Sequence, residues 1–160
     1  MGNYTATADG VASGAAQKTI LQLANPGSNP ASHRIAVYGI WIGGKGVVSN
    51  AVPPRIMLGR QSNAGSGSVA LATGYGPIPL DSSLPASAMT AVKGPAGTWT
   101  TEPTLVDVPW VREMHPQAST GEYIPLGDEI ILAPGAYLGV LVLAAATVPI
   151  TAQLFWREGH

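Results

Sequence analysis

Apolar residues in this chain recur with the two-residue period of β-strands rather than the longer period of helices. The clearest case is residues 148–158. Its regularly spaced apolar set consists of Val148, Ile150, Ala152, Leu154 and Trp156. Because successive side chains of a strand point to opposite faces of a sheet, this segment is predicted to bury one face. Phe155 is an apolar exception in the polar set.

The most apolar run, residues 136–145, has no polar set. Tyr137, Leu141 and Leu143 alternate with Leu138, Val140 and Val142. This pattern predicts a central strand covered on both faces. The stretch that follows, "AATVP", predicts a reversal that joins this strand to residues 148–158 as a hairpin. The run is shorter than the roughly 20 apolar residues that a membrane span needs, so we expect no membrane insertion.

Further segments carry β-favouring residues between turn signals. They are residues 18–24, 33–42, 55–61, 69–80, 97–111 and 122–135. Both alternating sets of residues 33–42 are apolar, which predicts a strand covered on both faces. Residues 55–61 follow two prolines, which cannot donate to a ladder, so they are predicted to lie at or near a sheet edge. Asp81, Ser82 or Ser83 is a suitable cap for a short helix within residues 81–92.

Twenty glycines and fourteen prolines are spread over the 160 residues and leave no room for long helices. We therefore predict an all-β fold, a jelly-roll-like β-sandwich of about eight antiparallel strands with little helix. An immunoglobulin-like sandwich is the alternative. Residues 17–160 are predicted to form this single domain, and the small residues of positions 1–16 a flexible amino-terminal arm.

Charged residues make up only 11% of the chain, against roughly 25% in ordinary domains. A surface so poor in charge predicts that part of it is covered by neighbouring subunits. The basic residues are scattered, which argues against direct nucleic-acid binding. Cysteine is absent, so disulfides and thiolate chemistry are excluded.

Candidate chemistry is sparse. His33, His115 and His160 are too far apart in sequence to begin a metal site, and no cofactor motif is present, so we expect neither a metal nor a cofactor. Asp107 and Glu113 lie near His115, but without a nucleophile elbow they predict a polar rim rather than a hydrolytic triad. We therefore expect that the protein is not an enzyme.

The four tryptophans fall into two groups. Trp41 and Trp156 lie within strand patterns. Trp99 and Trp110 lie in "GTWTT" and "VPWV", where an exposed ring would form a platform for a sugar. Burial or an interface is the commoner place for such rings.

Several short motifs occur in a recognisable order from about residue 17 onward. They are Leu58-Gly59-Arg60-Gln61, Thr101-Glu102-Pro103-Thr104, His115-Pro116-Gln117, "PLGDEIILAPGAYLGV" and the closing "FWRE". In this order they resemble a family of small tailed-phage virion proteins, some of which are capsid decoration or minor structural proteins. The resemblance implies a β-sandwich that oligomerises on a virion surface, with no catalytic residues to carry over. The residues before 17 and "VKGPAGTW" have no counterpart in it.

Together these observations predict a capsid decoration (cement) subunit, made in the host cytoplasm and located on the capsid surface. Its expected partners are copies of itself, for which we expect three, and the major capsid protein. The predicted contact residues are Tyr4 and Val11 in the arm, the loop at 62–68, and Arg55 and Arg60. The alternative is a receptor- or glycan-binding head module of a tail fibre, which would use Trp99 and Trp110.

Overall fold

A computed structural model describes residues 2–45 and 53–159. These residues form strands and connecting loops, with no helix among them. The strands are β1 (Gly2–Ala12), β2 (Lys18–Ala24), β3 (Ile35–Gly44), β4 (Arg55–Gln61), β5 (Val69–Ala70), β6 (Ile78–Pro79), β7 (Thr90–Lys93), β8 (Leu105–Glu113), β9 (Ser119–Tyr123), β10 (Ile130–Leu132), β11 (Tyr137–Leu143) and β12 (Pro149–Glu158).

The strands form two antiparallel sheets that pack face to face. Sheet A has the order β10-β3-β12-β1-β6, and β9 pairs with a second stretch of β3. Sheet B has the order β5-β7-β2-β11-β4-β8. The predicted all-β sandwich is therefore confirmed, whereas the jelly-roll connectivity stays a prediction. Twelve strands replace the expected eight in the described ranges, because several are only two to four residues long.

The core lies between the two sheets. The alternation predicted for residues 148–158 is confirmed, since every second residue of β12 is buried. Trp156 is fully buried, and its ring stacks on that of Tyr4 with centroids 6.2 Å apart. Each large apolar side chain buried in this way contributes about 1.5 to 3 kcal/mol to folding.

The predicted amino-terminal arm is wrong, because Gly2–Ala12 is a full strand inside sheet A. It pairs with β12 on one side and with β6 on the other. Tyr4, Ala6 and Ala8 face the core, and a bulge at Gly10, where φ is +62°, returns Val11 to the inside. Between Tyr4 and Val11 the inward residues are two alanines, so the segment lacks the bulky alternation by which strands are recognised.

The predicted hairpin between β11 and β12 is also wrong. β11 lies in sheet B between β2 and β4, whereas β12 lies in sheet A between β1 and β3. The segment between them crosses from one sheet to the other. It is held by Ser13, the residue after β1: Ser13 N–H donates to Val148 O at 2.9 Å, and Val148 N–H donates to Ser13 Oγ at 3.0 Å. The prediction that β11 is a central, doubly covered strand is confirmed.

The prediction that β3 is covered on both faces is wrong, although both of its alternating sets of residues are apolar. Val37 pairs with Trp156 and Gly39 with Phe155, which leaves Tyr38 as an extra residue in a β-bulge. The bulge changes the alternation, so that Ile35 and Val37 point inward before it and Ile40 and Ile42 after it. Trp41 consequently points outward and is 46% exposed.

The helix predicted within residues 81–92 is absent. Asp81 does cap its own backbone, since its Oδ1 accepts hydrogen bonds from Ser83 N–H at 2.9 Å and from Ser83 Oγ at 2.7 Å. Leu84 N–H then closes a turn on Asp81 O. The chain continues as a bend and enters β7 at Thr90, so the capping residues build a turn rather than a helix.

Candidate functional site

Four aromatic rings gather on the outer surface of sheet A. Tyr38 and Trp41 come from β3, Tyr123 from β9 and Phe155 from β12, and together we call them the aromatic face. The rings of Tyr38 and Tyr123 stack at 6.2 Å with 14° between their planes. Phe155 lies 6.4 Å from Tyr38 and 6.2 Å from Tyr123 in tilted geometry. Tyr123 is 61% exposed.

Glycines support these rings from below. A Cβ on Gly121 would lie 2.6 Å from both Cδ2 and Cε2 of Trp41 and 3.0 Å from Cε3. Three ring atoms at such similar distances mean that the indole lies flat across Gly121. Similarly, a Cβ on Gly39 would lie 3.0 Å from Tyr123 and 3.3 Å from Phe155. Only residues without a side chain allow these rings to lie against the sheet.

Polar groups border the aromatic face. Gln153 is the cross-strand partner of Trp41, and its Nε2 donates to Thr5 Oγ1 at 2.9 Å. The Arg157 guanidinium lies 5.2 Å from the centre of the Tyr38 ring and forms an ion pair with Glu129. The pKa of the Glu129 carboxyl is lowered, mainly because Gly127 N–H donates to it, and its ionised form is thereby favoured. Burial raises the pKa of Tyr38 and favours its neutral phenol.

The outer surface of sheet B is covered instead. Gln61 links two strands there: its Oε1 accepts from Gln22 Nε2 at 2.7 Å, and its Nε2 donates to Thr19 Oγ1 at 2.8 Å. Residues 94–104 pack against the Thr19 end of this network, where Glu102 accepts a hydrogen bond from Thr19 N–H. All three polar side chains of the network are buried.

Two predicted contact residues lie in the core. Tyr4 is fully buried, and its hydroxyl donates to Pro85 O at 3.2 Å. Val11 is 3% exposed. Neither side chain can contact a partner while the sandwich is intact, so their assignment as partner contacts is wrong. The reason is the strand character of Gly2–Ala12.

The predicted arginines lie on β4, next to the edge strand β8. Arg55 pairs with Glu113 at 3.3 Å, and Arg60 pairs with Asp107 at 3.1 Å. Both pairs are exposed, so each contributes little to stability. Asp107 and Glu113 are therefore bound to different arginines, and His115 Nδ1 accepts from Gln117 N–H. The three groups considered for a triad do not meet.

The predicted loop at 62–68 lies against sheet B. Asn63 O accepts a hydrogen bond from Gln22 Nε2 at 3.0 Å, and Ser66 forms a β-bridge with Thr101. Asn63 Oδ1 also accepts from Gly65 N–H at 3.0 Å. The loop thus helps residues 94–104 to cover the sheet, a role that its Gly/Ser composition does not reveal.

The two tryptophans considered for the sugar-binding alternative are not free platforms. Trp99 is only 7% exposed and donates from Nε1 to Thr19 O at 3.0 Å, so the commoner expectation of burial is confirmed for it and the exposed-ring alternative is wrong. Trp110 is half-buried and donates to Glu122 at 3.1 Å, with Arg112 lying 5.5 Å from its ring centre. Both indoles connect parts of the fold. The exposed ring is that of Trp41.

A cavity of about 500 Å³ opens beside Trp99, between residues 12–18 and 96–102. Its volume is in the range of small-molecule pockets. Lys18 enters it, but the ammonium donates to Ala12 O and Pro95 O, each at 2.7 Å. Burial lowers the pKa of Lys18, and the nearby Glu102 carboxylate opposes that shift. The contacts of Lys18 tie the loops of sheet B together.

A buried carboxylate that sequence reasoning missed lies at the end of β12. Glu158 is fully buried and accepts hydrogen bonds from Trp156 Nε1 at 2.9 Å, Ala88 N–H at 3.1 Å and Ser87 Oγ. His33 Nε2 lies 3.7 Å from it. A hydrolytic triad needs the histidine between the hydroxyl and the carboxylate, whereas here the carboxylate is in the middle. The cluster therefore joins β12 to the segment before β7.

Among residues 2–45 and 53–159, no three histidine or acidic side chains are grouped so that they could hold a metal ion. The same part of the chain contains no helix long and apolar enough to cross a membrane. Comparisons with protein-family models, curated proteins and solved structures gave no match to this chain.

Proposed function

We propose that this protein is an assembly subunit, a decoration protein that attaches to a phage head together with copies of itself. The observation that carries the proposal is the exterior of the sandwich, which combines very few unpaired charges with many exposed apolar side chains. Such an exterior is suited to contact with protein rather than with water or polyanions.

Most surface charge is neutralised locally. Five ion pairs join five of the eight basic residues to five of the nine acidic ones. Lys18 and Glu158 are buried in addition. Across residues 2–45 and 53–159, local pairing leaves no basic area of the kind that nucleic-acid binding requires. It also lowers the electrostatic cost of bringing identical copies together.

The edge strand β8 provides the apolar contact area. Val106, Val108 and Val111 are 64%, 38% and 46% exposed. Two register shifts against β4 and the proline at position 109 interrupt the free edge of this strand. Bulges and proline are the devices that prevent strand addition at an edge. The geometry therefore favours packing of β8 side chains against a partner rather than continuation of the sheet.

The resemblance to tailed-phage virion proteins supplies the proposed setting. In it, each subunit contacts sister copies, three in the simplest case, and the major capsid protein on the surface of the head. Apolar area buried at these contacts stabilises the assembly by roughly 25 cal/mol per Å². Several copies acting together convert weak single contacts into firm attachment.

Rebinding to phage heads stripped of this subunit tests the proposal. We expect the purified protein to rebind and to raise the melting temperature of the heads, and light scattering to show an oligomer. Val106→Asp and Val111→Asp place a charge on β8 and should weaken rebinding at least about tenfold. Leu126→Asp is the matched control, because Leu126 is 83% exposed and lies between β9 and β10.

A protein that stays monomeric and does not rebind would overturn the proposal. Equal rebinding by the β8 variants and the control would leave attachment in place but show that β8 is not its surface. The alternative function, a receptor- or glycan-binding head, is not supported by Trp99 or Trp110. A different surface favours sugar binding, as follows.

A further inference from the structure

From the aromatic face we infer a carbohydrate-binding site, in which one sugar ring stacks on Trp41 and the next contacts Tyr123. This inference goes beyond assembly and does not depend on it. It uses sheet A, whereas the proposed assembly contact uses β8 of sheet B.

The orientation of Trp41 favours stacking with a sugar ring. One face of its indole lies against Gly121, and the side chain is 46% exposed. The opposite face is therefore open to solvent and held in place by the sheet. An open ring face whose other side rests on the sheet is what a sugar needs, because the C–H groups of a pyranose pack against it.

The spacing of the rings matches two adjoining sugar units. Gly121 is the cross-strand partner of Trp41, and Tyr123 is that of Gly39. Trp41 and Tyr123 are thus diagonal neighbours across two strands, a relation that places their Cα atoms about 7 to 8 Å apart. Tyr38 stacks on Tyr123 and fixes its ring. Two adjoining units of an oligosaccharide can lie along these rings.

Polar groups beside Trp41 are placed to bind sugar hydroxyls. Gln153 lies beside Trp41 with Nε2 fixed by Thr5, and its Oε1 has no hydrogen-bond partner among the described residues. Thr151, two residues earlier on the same side of β12, donates to Asp9 Oδ1 at 2.7 Å. Amide and carboxylate oxygens next to an aromatic ring accept hydrogen bonds from sugar hydroxyls, and few polar groups are enough to fix orientation.

The open area of the two rings is small. Trp41 is 46% and Tyr123 61% exposed, which at ~250 Å² per aromatic side chain leaves roughly 270 Å² open. A standard protein interface needs about 800 Å² from each partner. The open area is suited to one or two sugar units.

A glycan array probed with the intact protein is the first test, followed by calorimetric titration with the strongest oligosaccharide found. Trp41→Ala should weaken binding at least about tenfold, while Trp41→Phe should retain part of it. Gln153→Ala should weaken binding a few-fold. Tyr75→Ala is the matched control: Tyr75 is 42% exposed but lies outside the aromatic face, so affinity should not change.

The thermal midpoint of each variant separates lost contact from lost folding. We expect the midpoint of Trp41→Ala to stay within a few degrees of the parent. An array without any binding oligosaccharide, or sugar binding that Trp41→Ala leaves unchanged, would overturn the inference. If Trp41→Ala instead reduces self-association and no sugar binds, the face is an interface between copies and the inference is wrong.

Discussion

The two outer faces of this sandwich both carry aromatic and polar residues, but the face of sheet B is covered by loops and that of sheet A is exposed. On sheet A, Trp41 lies across a glycine and stays half exposed. On sheet B, Trp99 lies within residues 94–104, donates a hydrogen bond to Thr19 O and is almost completely buried. The covered face fixes its polar groups in a closed network, whereas the bare face leaves aromatic rings open to solvent. Since the fold covers one face with its own loops, the bare aromatic face is available for a ligand.

The largest effect that tests this comparison is expected from Trp99→Ala. It removes a buried indole and its hydrogen bond to Thr19 O. We expect a loss of about 3 to 5 kcal/mol in the free energy of unfolding, the range for large-to-small changes of buried aromatic residues. Urea unfolding followed by fluorescence measures it. A loss below about 0.5 kcal/mol would mean that residues 94–104 do not cover sheet B in solution.

A smaller loss of stability is expected when alanine replaces the glycine that lies under Gln61 on sheet B or the one that lies under Trp41 on sheet A. In Gly139→Ala the new Cβ would lie 2.6 Å from Nε2 of Gln61. That amide is held by Gln22 and Thr19 in a buried network, so it cannot move without leaving polar atoms unpaired. We expect unfolding measurements to show a loss of about 1 to 3 kcal/mol.

Gly121→Ala is the matched control on sheet A. Its Cβ would also lie 2.6 Å from a neighbour, the ring of Trp41. Because that ring has solvent on its other side, it can swing outward, and we expect a change of less than about 1 kcal/mol. Equal losses for the two alanine variants would show that both faces are equally rigid, and the comparison would fail.

The sequence alone was sufficient for strands whose alternation involves bulky residues. β2, β4, β11 and β12 were predicted within one or two residues of their observed bounds, as was the double covering of β11. β1 was missed because Ala6 and Ala8, the inward residues between Tyr4 and Val11, are small, and small inward residues are compatible with arms as well as with strands. Periodicity also does not show which sheet a strand joins. It therefore predicts a hairpin between β11 and β12, where the chain instead crosses from sheet B to sheet A.

The candidate site was harder to predict for a different physical reason. A single bulge at Tyr38 decides that Trp41 faces outward, and residues distant in sequence decide that Trp99 is covered. Both features depend on long-range contacts that alternation does not contain. The apolar exception noted at Phe155 was the one available signal, since it placed an aromatic side chain on the outer face of β12.

The smallest expected effect is on the pH dependence of stability and comes from the buried ammonium of Lys18. Burial lowers the pKa of Lys18 below its ordinary value of 10.5, whereas the unfolded chain keeps that value. Between the two pKa values the unfolded state binds more protons, so the contribution of Lys18 to stability rises with pH there. Below the lowered pKa both states are charged and the cost of burial is constant. Lys18→Met should abolish this rise, although it loses the hydrogen bonds to Ala12 O and Pro95 O at every pH.

Unfolding free energies of the parent and of Lys18→Met, measured from about pH 8 to about pH 11, provide the test. Tyr4 and Tyr38 act in the opposite direction, because burial raises the pKa of each phenol and stability falls as the unfolded chain ionises. Only the difference between parent and variant isolates Lys18. A difference that does not change with pH would mean that the Lys18 ammonium is hydrated, and that the loops over sheet B leave the cavity open to water.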